Sequence, residues 1–512
     1  MSRYLRCVLL LSLIVACGCA RLPPRPQLPH ESALAVGTQT RLDALVAPTT
    51  EQHPGLSGFR LVIDGDEAFA LRGLSARNAG RSLDIQSYIW HDDLTGRLLA
   101  TELLDAADRG VRVRLLLDDL NARAHSRVLR VLDTHPEIAI RVYNPMVTRT
   151  GKLRAGVEAI GSFSRINRRA HNKSWIADGR VAITGGRNVG DEYFTASNDA
   201  NFQDIDLLVE GPAVTALEHA FDAYWNATPA WPIALIDHSE PAPGALDALR
   251  QSLHADRQAA ADNPWVISMR ATDTRDKLRQ DIADLRWTAD WRLLLDDADK
   301  IVLPIPDTQA SQVLAGLSHA LDAARADIEI ISPYFVPGDA GTEALLQIAR
   351  EGRRVRVLTN SLASNDVAAV YGGYTRYRKA LACGGVALWE LKAQGGKADA
   401  SLFGSSGASL HSKAAVMDGQ VLFVGSLNLD PRSVRLNSEQ GLLVRDPVLA
   451  EQLVRLFDTL TSPQDAWAVG CEGGKHLVWR DADSVRTSEP PAGLMRKIVA
   501  MLSRLLPVES LL

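Results

Sequence analysis

The sequence is poor in several features that would otherwise assign it to a class. It has five cysteines, and only Cys383 and Cys471 lie beyond the first 19 residues. Two lone cysteines make no disulfide framework and no CxxC pair for zinc. No HExxH, no Gly-rich phosphate loop ending in GK[ST] and no GxSxG elbow occurs in 512 residues. That argues against zincin, P-loop and α/β-hydrolase chemistry. Basic residues are not in excess: 56 Lys and Arg face 61 Asp and Glu, a net charge of −5. No global field therefore gathers nucleic acid, although "RINRRAHNK", running into His171, is a local basic patch. The apolar run from Val8 to Ala16 falls short of the roughly 20 residues that a membrane-spanning helix needs.

That run does have a use. Arg3 and Arg6 precede it, and small residues and cysteines follow it, the layout of a secretory signal. "IVAC" at Ile14–Cys17 resembles a bacterial lipobox with Cys17 as the lipidated residue; an uncleaved signal anchor is the alternative. Either form holds the protein at a membrane, and the lipobox form puts it on the periplasmic side in a Gram-negative bacterium. A hydrophobic fraction of 46% fits a globular remainder.

The remainder is written twice. "HNKSWIADG" begins at His171 and "HSKAAVMDG" begins at His411, 240 residues further on (411 − 171). Around each, the same succession recurs. "SLDIQSYIW", a helix-spaced stretch, a Gly break and "VRVRLLLDD" in the first half match "DIEIISPYF", "EALLQIAREG" and "RRVRVLTNSL" in the second. Downstream, "DIDLLVEGP" matches "EQGLLVRDP". An internal repeat fixes architecture before any other signal, and strand–helix–strand spacing predicts a parallel sheet covered by helices. The expected fold is α/β: two pseudo-symmetric domains, each a mixed or parallel sheet flanked by helices, sharing one active site. The expected borders are a signal at 1–19, an extended, poorly ordered Pro-rich leader at 20–57, a first domain at 58–232, a connector at 233–307, a second domain at 308–470 and a tail at 471–512. In that tail Leu494, Ile498, Leu502 and Leu505 share one helical face, and Arg496, Lys497 and Arg504 lie elsewhere. Such a helix either docks on the core or lies on lipid.

Histidine, one residue, then lysine on a strand puts an imidazole and an ammonium on the same face. That pair suits an anion, and phosphate above all: lysine stabilises non-bridging oxygens and imidazole attacks phosphorus or moves a proton. Gly185, Gly186 and Asn188 follow the first motif, and Gly425, Ser426 and Asn428 the second. Small residues would let backbone approach the phosphate, and the asparagines would donate to it. Two halves packed about a pseudo-twofold axis would place one histidine to attack phosphorus and the other to protonate the leaving oxygen. Lys173 and Lys413 would carry the charge stabilisation that a metal otherwise supplies, so no metal or other cofactor is expected.

Two copies of HxKxxxxDG with Gly and Asn downstream resemble the signature of the phospholipase D superfamily. "YIWHDDLTGRLL", "FSRINRRAHNKSWIADG", "GGRNVGDEYF", "GASLHSK", "GSLNLDPRS" and the terminal "LLPVESLL" resemble C-type bacterial cardiolipin synthases. The resemblance implies catalytic pairs His171/Lys173 and His411/Lys413, with His171 as nucleophile forming a phosphohistidine and His411 as acid and base. It implies that Asp204 orients His411, that Glu439 orients His171, that Asp178 and Asp418 are structural, and that Asn188 and Asn428 bind phosphate. Tyr371 and Tyr374 would line the acceptor side, unless they simply pack. The activity implied is transfer of a phosphatidyl group to phosphatidylglycerol, with a second phosphatidylglycerol or phosphatidylethanolamine as donor. The partners are then these lipids, a membrane surface and room for an accessory protein, with no nucleic acid. Hydrolysis to phosphatidic acid would use the same residues. A nuclease of this superfamily fits the charge and the double motif less well, and a non-enzymatic relative would not need both pairs intact.

Overall fold

The computed structural model describes residues 22, 24–36, 38–149, 158, 163–272, 274–302, 311–393 and 409–505. The lipobox with Cys17 and most of "LLPVESLL" lie outside the described residues. Two large sheets, one per half, carry helices on their faces.

The repeat is visible strand by strand. In the first sheet Ser57–Val62, Asp206–Glu210, Val181–Gly185, Ser174–Ala177, Ser82–Ser87, Arg112–Asp118, Ile138–Tyr143 and Ala230–Pro232 lie side by side. In the second the same places are taken by Trp291–Leu295, Gln440–Arg445, Val421–Gly425, Ala414–Met417, Asp327–Ile331, Arg354–Asn360, Ala387–Leu391 and Ala466–Glu472. The sense of each pairing also matches. Only the two contacts among the fifth, sixth and seventh strands are parallel. The other five are antiparallel. The sheets are thus mixed: strand–helix–strand crossovers build three neighbouring strands of each, and the other strands pair antiparallel, most of them with partners remote in sequence.

Local chemistry explains the turns that define the motifs. Asp178 and Gly179 have φ of 54° and 63°, and Asp418 and Gly419 have 55° and 59°. Two successive positive φ angles make the turn that suits a tight hairpin, and Asp-Gly is the pair that adopts it at least cost. The Asp178 carboxylate accepts from the backbone N–H groups of Gly80, Arg81 and Ser82, and Asp418 accepts from Arg325, Ala326 and Asp327. The motif acids thus tie each hairpin to the strand beside it. Inside each sheet a cross-strand ion pair repeats too: buried Arg114 grips Asp84 at 2.6 and 2.8 Å, and Arg356 meets Glu329 at 2.7 Å. Removing one partner of a buried pair costs about 3–5 kcal/mol, because the other charge is stranded.

The centre of the molecule belongs to both halves. One apolar cluster joins Phe59, Leu61, Leu207 and Val209 with Leu410, Val424, Leu442 and Val444, and includes the helices Pro212–Asn226 and Pro447–Leu460. Two outer clusters serve one half each.

Several expected borders are redrawn. Segment 233–307 is no free connector: Arg286–Thr288 extends the first sheet, Trp291–Leu295 belongs to the second, and the helix Ala245–Ala259 packs on the helix Leu94–Asp108 through Arg97–Asp256 and Arg250–Asp108 pairs. The leader is not loose either. Arg25 donates to the Ala227 and Ala230 carbonyls, Glu31 pairs with Arg141, and Arg41–Gln52 is a helix capped by Thr40. Beyond position 470, His476–Arg480 and Val485–Arg486 continue the second sheet. Composition marked the first stretch as a connector with some helix and the leader as poorly ordered; strand pairing and side-chain hydrogen bonds tie both to the two sheets.

The two cysteines dismissed as lone are joined. Cys383, at the end of the helix Ala368–Cys383, and Cys471, in the strand Ala466–Glu472, form a disulfide across 88 residues of sequence. Their spacing carried no signal, because the pairing depends on the helix running back beside the sheet. Cys383→Ser should lower unfolding stability by about 2–4 kcal/mol. A thermal midpoint that neither this change nor dithiothreitol moves would contradict the bond.

Candidate active site

Both His-x-Lys motifs lie in extended segments just ahead of a strand rather than within one; Lys173 precedes Ser174–Ala177, and Lys413 precedes Ala414–Met417. The strand before each is what fixes them. Asp118 ends the strand Arg112–Asp118, and its carboxylate accepts from Ala170 N–H at 3.1 Å. Asn360 ends the matching strand, accepting from Leu410 N–H and donating to its carbonyl at 3.0 and 2.9 Å. The residue before each histidine is therefore clamped. The two clamps stand at matched positions of the repeat, so aligning the halves residue by residue would have found them.

The histidine segments then cross to the other half. His171 N–H donates to Ser438 C=O at 2.9 Å, and His411 N–H donates to Gln203 C=O at 2.8 Å. The next residue along each acceptor segment is the acid. Glu439 Oε2 is 2.9 Å from His171 Nδ1, and Asp204 Oδ2 is 2.6 Å from His411 Nδ1. The crossed pairing implied by the family resemblance is the arrangement observed. An ionised carboxylate only accepts, so each Nδ1 carries the proton and each Nε2 presents its lone pair away from the acid.

The glycines that follow each motif serve the acids. A Cβ on Gly186 would collide with the Asp204 carboxylate, and one on Gly185 with Asp206 and the Ile205 carbonyl. In the second half Ser426 replaces glycine and donates its hydroxyl to Glu439 at 2.5 Å. Close approach is needed, but to a carboxylate. The asparagines differ from one another. Asn188 accepts from Ile89 N–H at 3.2 Å and donates to the Tyr193 hydroxyl at 2.9 Å, so its amide is already engaged. Asn428 Oδ1 is buried with no hydrogen-bond partner among the described residues.

Other groups went unread in the sequence. Buried Arg187, inside the "GGRN" stretch, donates to the carbonyls of Val62, Tyr193 and Asp204 and fixes the segment that carries the acid. Gln440 donates to Lys173 C=O and Thr184 Oγ1, both at 2.8 Å, and so bridges the halves beside the site. Asp296, from the presumed connector, accepts from Glu439 N–H at 3.2 Å. Tyr88 packs edge-on to His171 with ring centroids 5.0 Å apart, while Phe202 stacks on His411 at 5.2 Å. Tyr371 and Tyr374 are not shown at the histidines. They lie in the helix Ala368–Cys383, buried beside Arg378, and the Tyr371 hydroxyl donates to Glu390 at 3.3 Å. Packing accounts for them.

Electrostatics set the protonation of the four bases. Both histidines and both lysines are buried. Burial, then the nearby ammonium of Lys173, holds His171 down to about 4 against the pull of Glu439. Burial and Lys413 hold His411 down to about 3. Both imidazoles are neutral near pH 7. Burial also lowers Lys173 to about 7 and Lys413 to about 8, and the Lys413 ammonium adds to the lowering of Lys173. Burial raises Asp204 and Glu439, but the histidine and lysine beside each outweigh it, and both carboxyls sit below their usual range. Each lysine ammonium turns back to the carbonyl of its own histidine. The arrangement offers two neutral nucleophilic nitrogens and two ammonium groups to one anion.

Against known proteins, a family model described as "Cardiolipin synthase, PLD-like domain" matches residues 75–225 and 317–461, one copy in each half. Cardiolipin synthase C of Escherichia coli (strain K12) is 39% identical over 485 residues, 92% of this chain and 100% of that protein. Cardiolipin synthase A of Pseudomonas syringae pv. syringae is 27% identical, covering 83% of this chain and 73% of that one. Among solved structures, phosphatidylserine synthase of Haemophilus influenzae Rd KW20 superposes with a TM-score of 0.58 at 14% identity, covering 91% of this chain and all of that one, a likeness of fold.

Two measurements check the site. Glu439→Gln and Asp204→Asn should each lower kcat by about 10²–10⁴-fold with circular dichroism unchanged, since each loses the group that orients an imidazole. A loss of less than about threefold in either would contradict the crossed pairs. With free enzyme, kcat/KM should fall as pH rises through about 7 to 8, where Lys173 and Lys413 lose their protons. A profile flat from about pH 6 to 10 would mean that the ammonium groups do not stabilise the transition state.

Proposed function

The chain belongs to the cardiolipin synthase family built on phospholipase D-like domains, and on that premise we propose that it passes a phosphatidyl group through His171 to a hydroxyl of phosphatidylglycerol. It is a phosphatidyltransferase of the phospholipase D type, and the product of transfer is cardiolipin. The observation that carries the mechanism is the crossed pair of imidazole–carboxylate contacts, because it supplies two oriented bases to one phosphorus.

The phosphodiester of the donor lipid enters with one negative charge beside Lys173 and Lys413. That charge offsets the ammonium groups that depress His411, so His411 takes up a proton and Asp204 supports the imidazolium. His171 Nε2 attacks phosphorus, the bond from phosphorus to the headgroup oxygen breaks, and His411 gives its proton to that oxygen. The headgroup alcohol leaves and His171 holds the phosphatidyl group. An acceptor hydroxyl then gives its proton to His411 while its oxygen attacks phosphorus, and the bond to His171 breaks. The two lysines stabilise the non-bridging oxygens in both steps. The buried Asn428 carbonyl oxygen has no hydrogen-bond partner among the described residues, which supports a role for Asn428 in contacting the lipid, its amide oxygen accepting from a lipid hydroxyl.

The donor is phosphatidylglycerol or phosphatidylethanolamine. The disulfide between Cys383 and Cys471 supports a periplasmic setting, where such bonds persist. The lipobox at Cys17 supports anchoring on the same side. Among the described residues no helix is long and apolar enough to cross a membrane.

Lipid mass spectrometry on purified protein in mixed micelles tests the proposal, with phosphatidylglycerol alone and then with phosphatidylethanolamine added. Cardiolipin should form, glycerol or ethanolamine should identify the donor, and both products should vanish in His171→Ala and His411→Ala. Phosphatidic acid without cardiolipin would mean that water is the acceptor. Loss of activity to a chelator would overturn the metal-independent mechanism.

A further inference from the structure

The last described helix, Leu494–Leu505, is docked with its polar side inward. Arg496, Ala500 and Ser503 are its buried residues. Ser503 donates its hydroxyl to Ala369 C=O at 2.9 Å, and a Cβ on Gly372 would collide with Ser503 and the Ala500 carbonyl. The helix is therefore seated closely on Ala368–Cys383 by small residues and one arginine. Its apolar side chains face out. Leu494 and Leu505 are 74% and 72% exposed, and Met495, Ile498, Met501 and Leu502 are exposed with them. These six are nearly half of the large exposed apolar residues of the described chain. At 100° per residue they fan around the side opposite Arg496 and Ser503, while Lys497 and Arg504 fall together on one flank.

Such a seat is informative because a helix docking for stability would bury the leucines. Exposed apolar area of this kind on one short helix marks a surface that meets something apolar. Beside it the charge is local and positive: Lys497 and Arg504 are exposed on the helix, and Arg376 donates to Arg504 C=O at its end. The chain as a whole is acidic, with a net charge of −5. An apolar strip with a basic flank matches the acyl boundary and headgroups of an anionic bilayer, in which leucines enter and lysine or arginine stays with phosphate.

The place of the helix fits the chemistry. Arg496 Nε donates to Leu362 C=O at 3.0 Å. Leu362 follows closely on Asn360, which clamps Leu410 beside His411. The helix thus rests on the segment that leaves the second half-site.

We propose that the exposed face of Leu494–Leu505 is the surface by which this protein lies on an anionic phospholipid bilayer, its leucines and methionines in the acyl boundary and Lys497 and Arg504 at the headgroups. The proposal rests on the lipid-transfer reading for its purpose. It is independent of any anchor at Cys17, which would tether the chain without orienting it. With this face on the membrane, the segment next to His411 is held close to the lipid surface.

The test uses the full chain on vesicles of phosphatidylglycerol or of phosphatidylcholine, each carrying a trace of the same lipid with a photo-activatable diazirine in an acyl chain. Irradiation and tryptic mapping should place adducts on the peptide from Ile498 to Arg504. Labelling there should drop about tenfold on phosphatidylcholine and in the Ile498→Gln/Leu502→Gln variant, as two apolar anchors are lost. The unchanged thermal midpoint of that variant shows that it folds. Adducts elsewhere but none on this peptide, or equal labelling in the variant, would overturn the proposal. Turnover is measured on the same samples: adducts on the peptide without transfer of lipid would leave the docking surface standing and remove the synthase reading.

Discussion

Glu439 on His171 and Asp204 on His411 are the contacts on which the rest of the chain depends. Each joins a base in one half to an acid in the other, so neither half holds a complete base. That constraint explains why the central apolar cluster is shared and why the backbone bridges Ala170–Ser438 and Leu410–Gln203 exist. It also explains the glycine and serine ahead of each acid. A carboxylate can reach across only if the residue beside it has no bulk, as at Gly186, or donates to it, as Ser426 does.

The same contacts govern charge. Two ammonium groups in a buried site would repel one another and any protonated imidazole, and Lys413 does help to lower Lys173. Asp204 and Glu439 restore the balance, and the resting site holds two neutral imidazoles between two cations and two anions. A phosphodiester changes that balance by one negative charge at the place where the histidines need it. In the proposed transfer the substrate itself readies the acid, and the repeat supplies the second base that a ping-pong route requires.

Much of this was legible in the chain because a duplicated gene writes its message twice. The matching of His171 with His411 and of Asp204 with Glu439 comes from period alone, and so does the recurrence of the strand–helix–strand unit in each half, whereas the order of the strands in the sheets does not. What was not legible depends on contacts remote in sequence. Cys383 meets Cys471 only because a helix returns beside a strand. Asp296 reaches Glu439 from a stretch whose composition resembles a linker. Arg25 and Glu31 hold a Pro-rich leader by bonds that no periodicity encodes. For Tyr371 and Tyr374 the sequence left lining and packing both open, and their rings pack beside Arg378. The C-terminal helix shows that amphipathic spacing fixes the faces of a helix and not which face is buried.

The central claim is that two motifs make one site. Rapid acid-free quenching of the enzyme with donor lipid, followed by intact-mass measurement of the denatured chain, tests it directly. The account predicts one phosphatidyl group per chain, mapped to the His171 peptide, absent in His171→Ala and formed far more slowly in His411→Ala, which lacks the acid that protonates the leaving headgroup. Two groups per chain, or one remaining in each single mutant on the other histidine, would mean two independent sites and would contradict it.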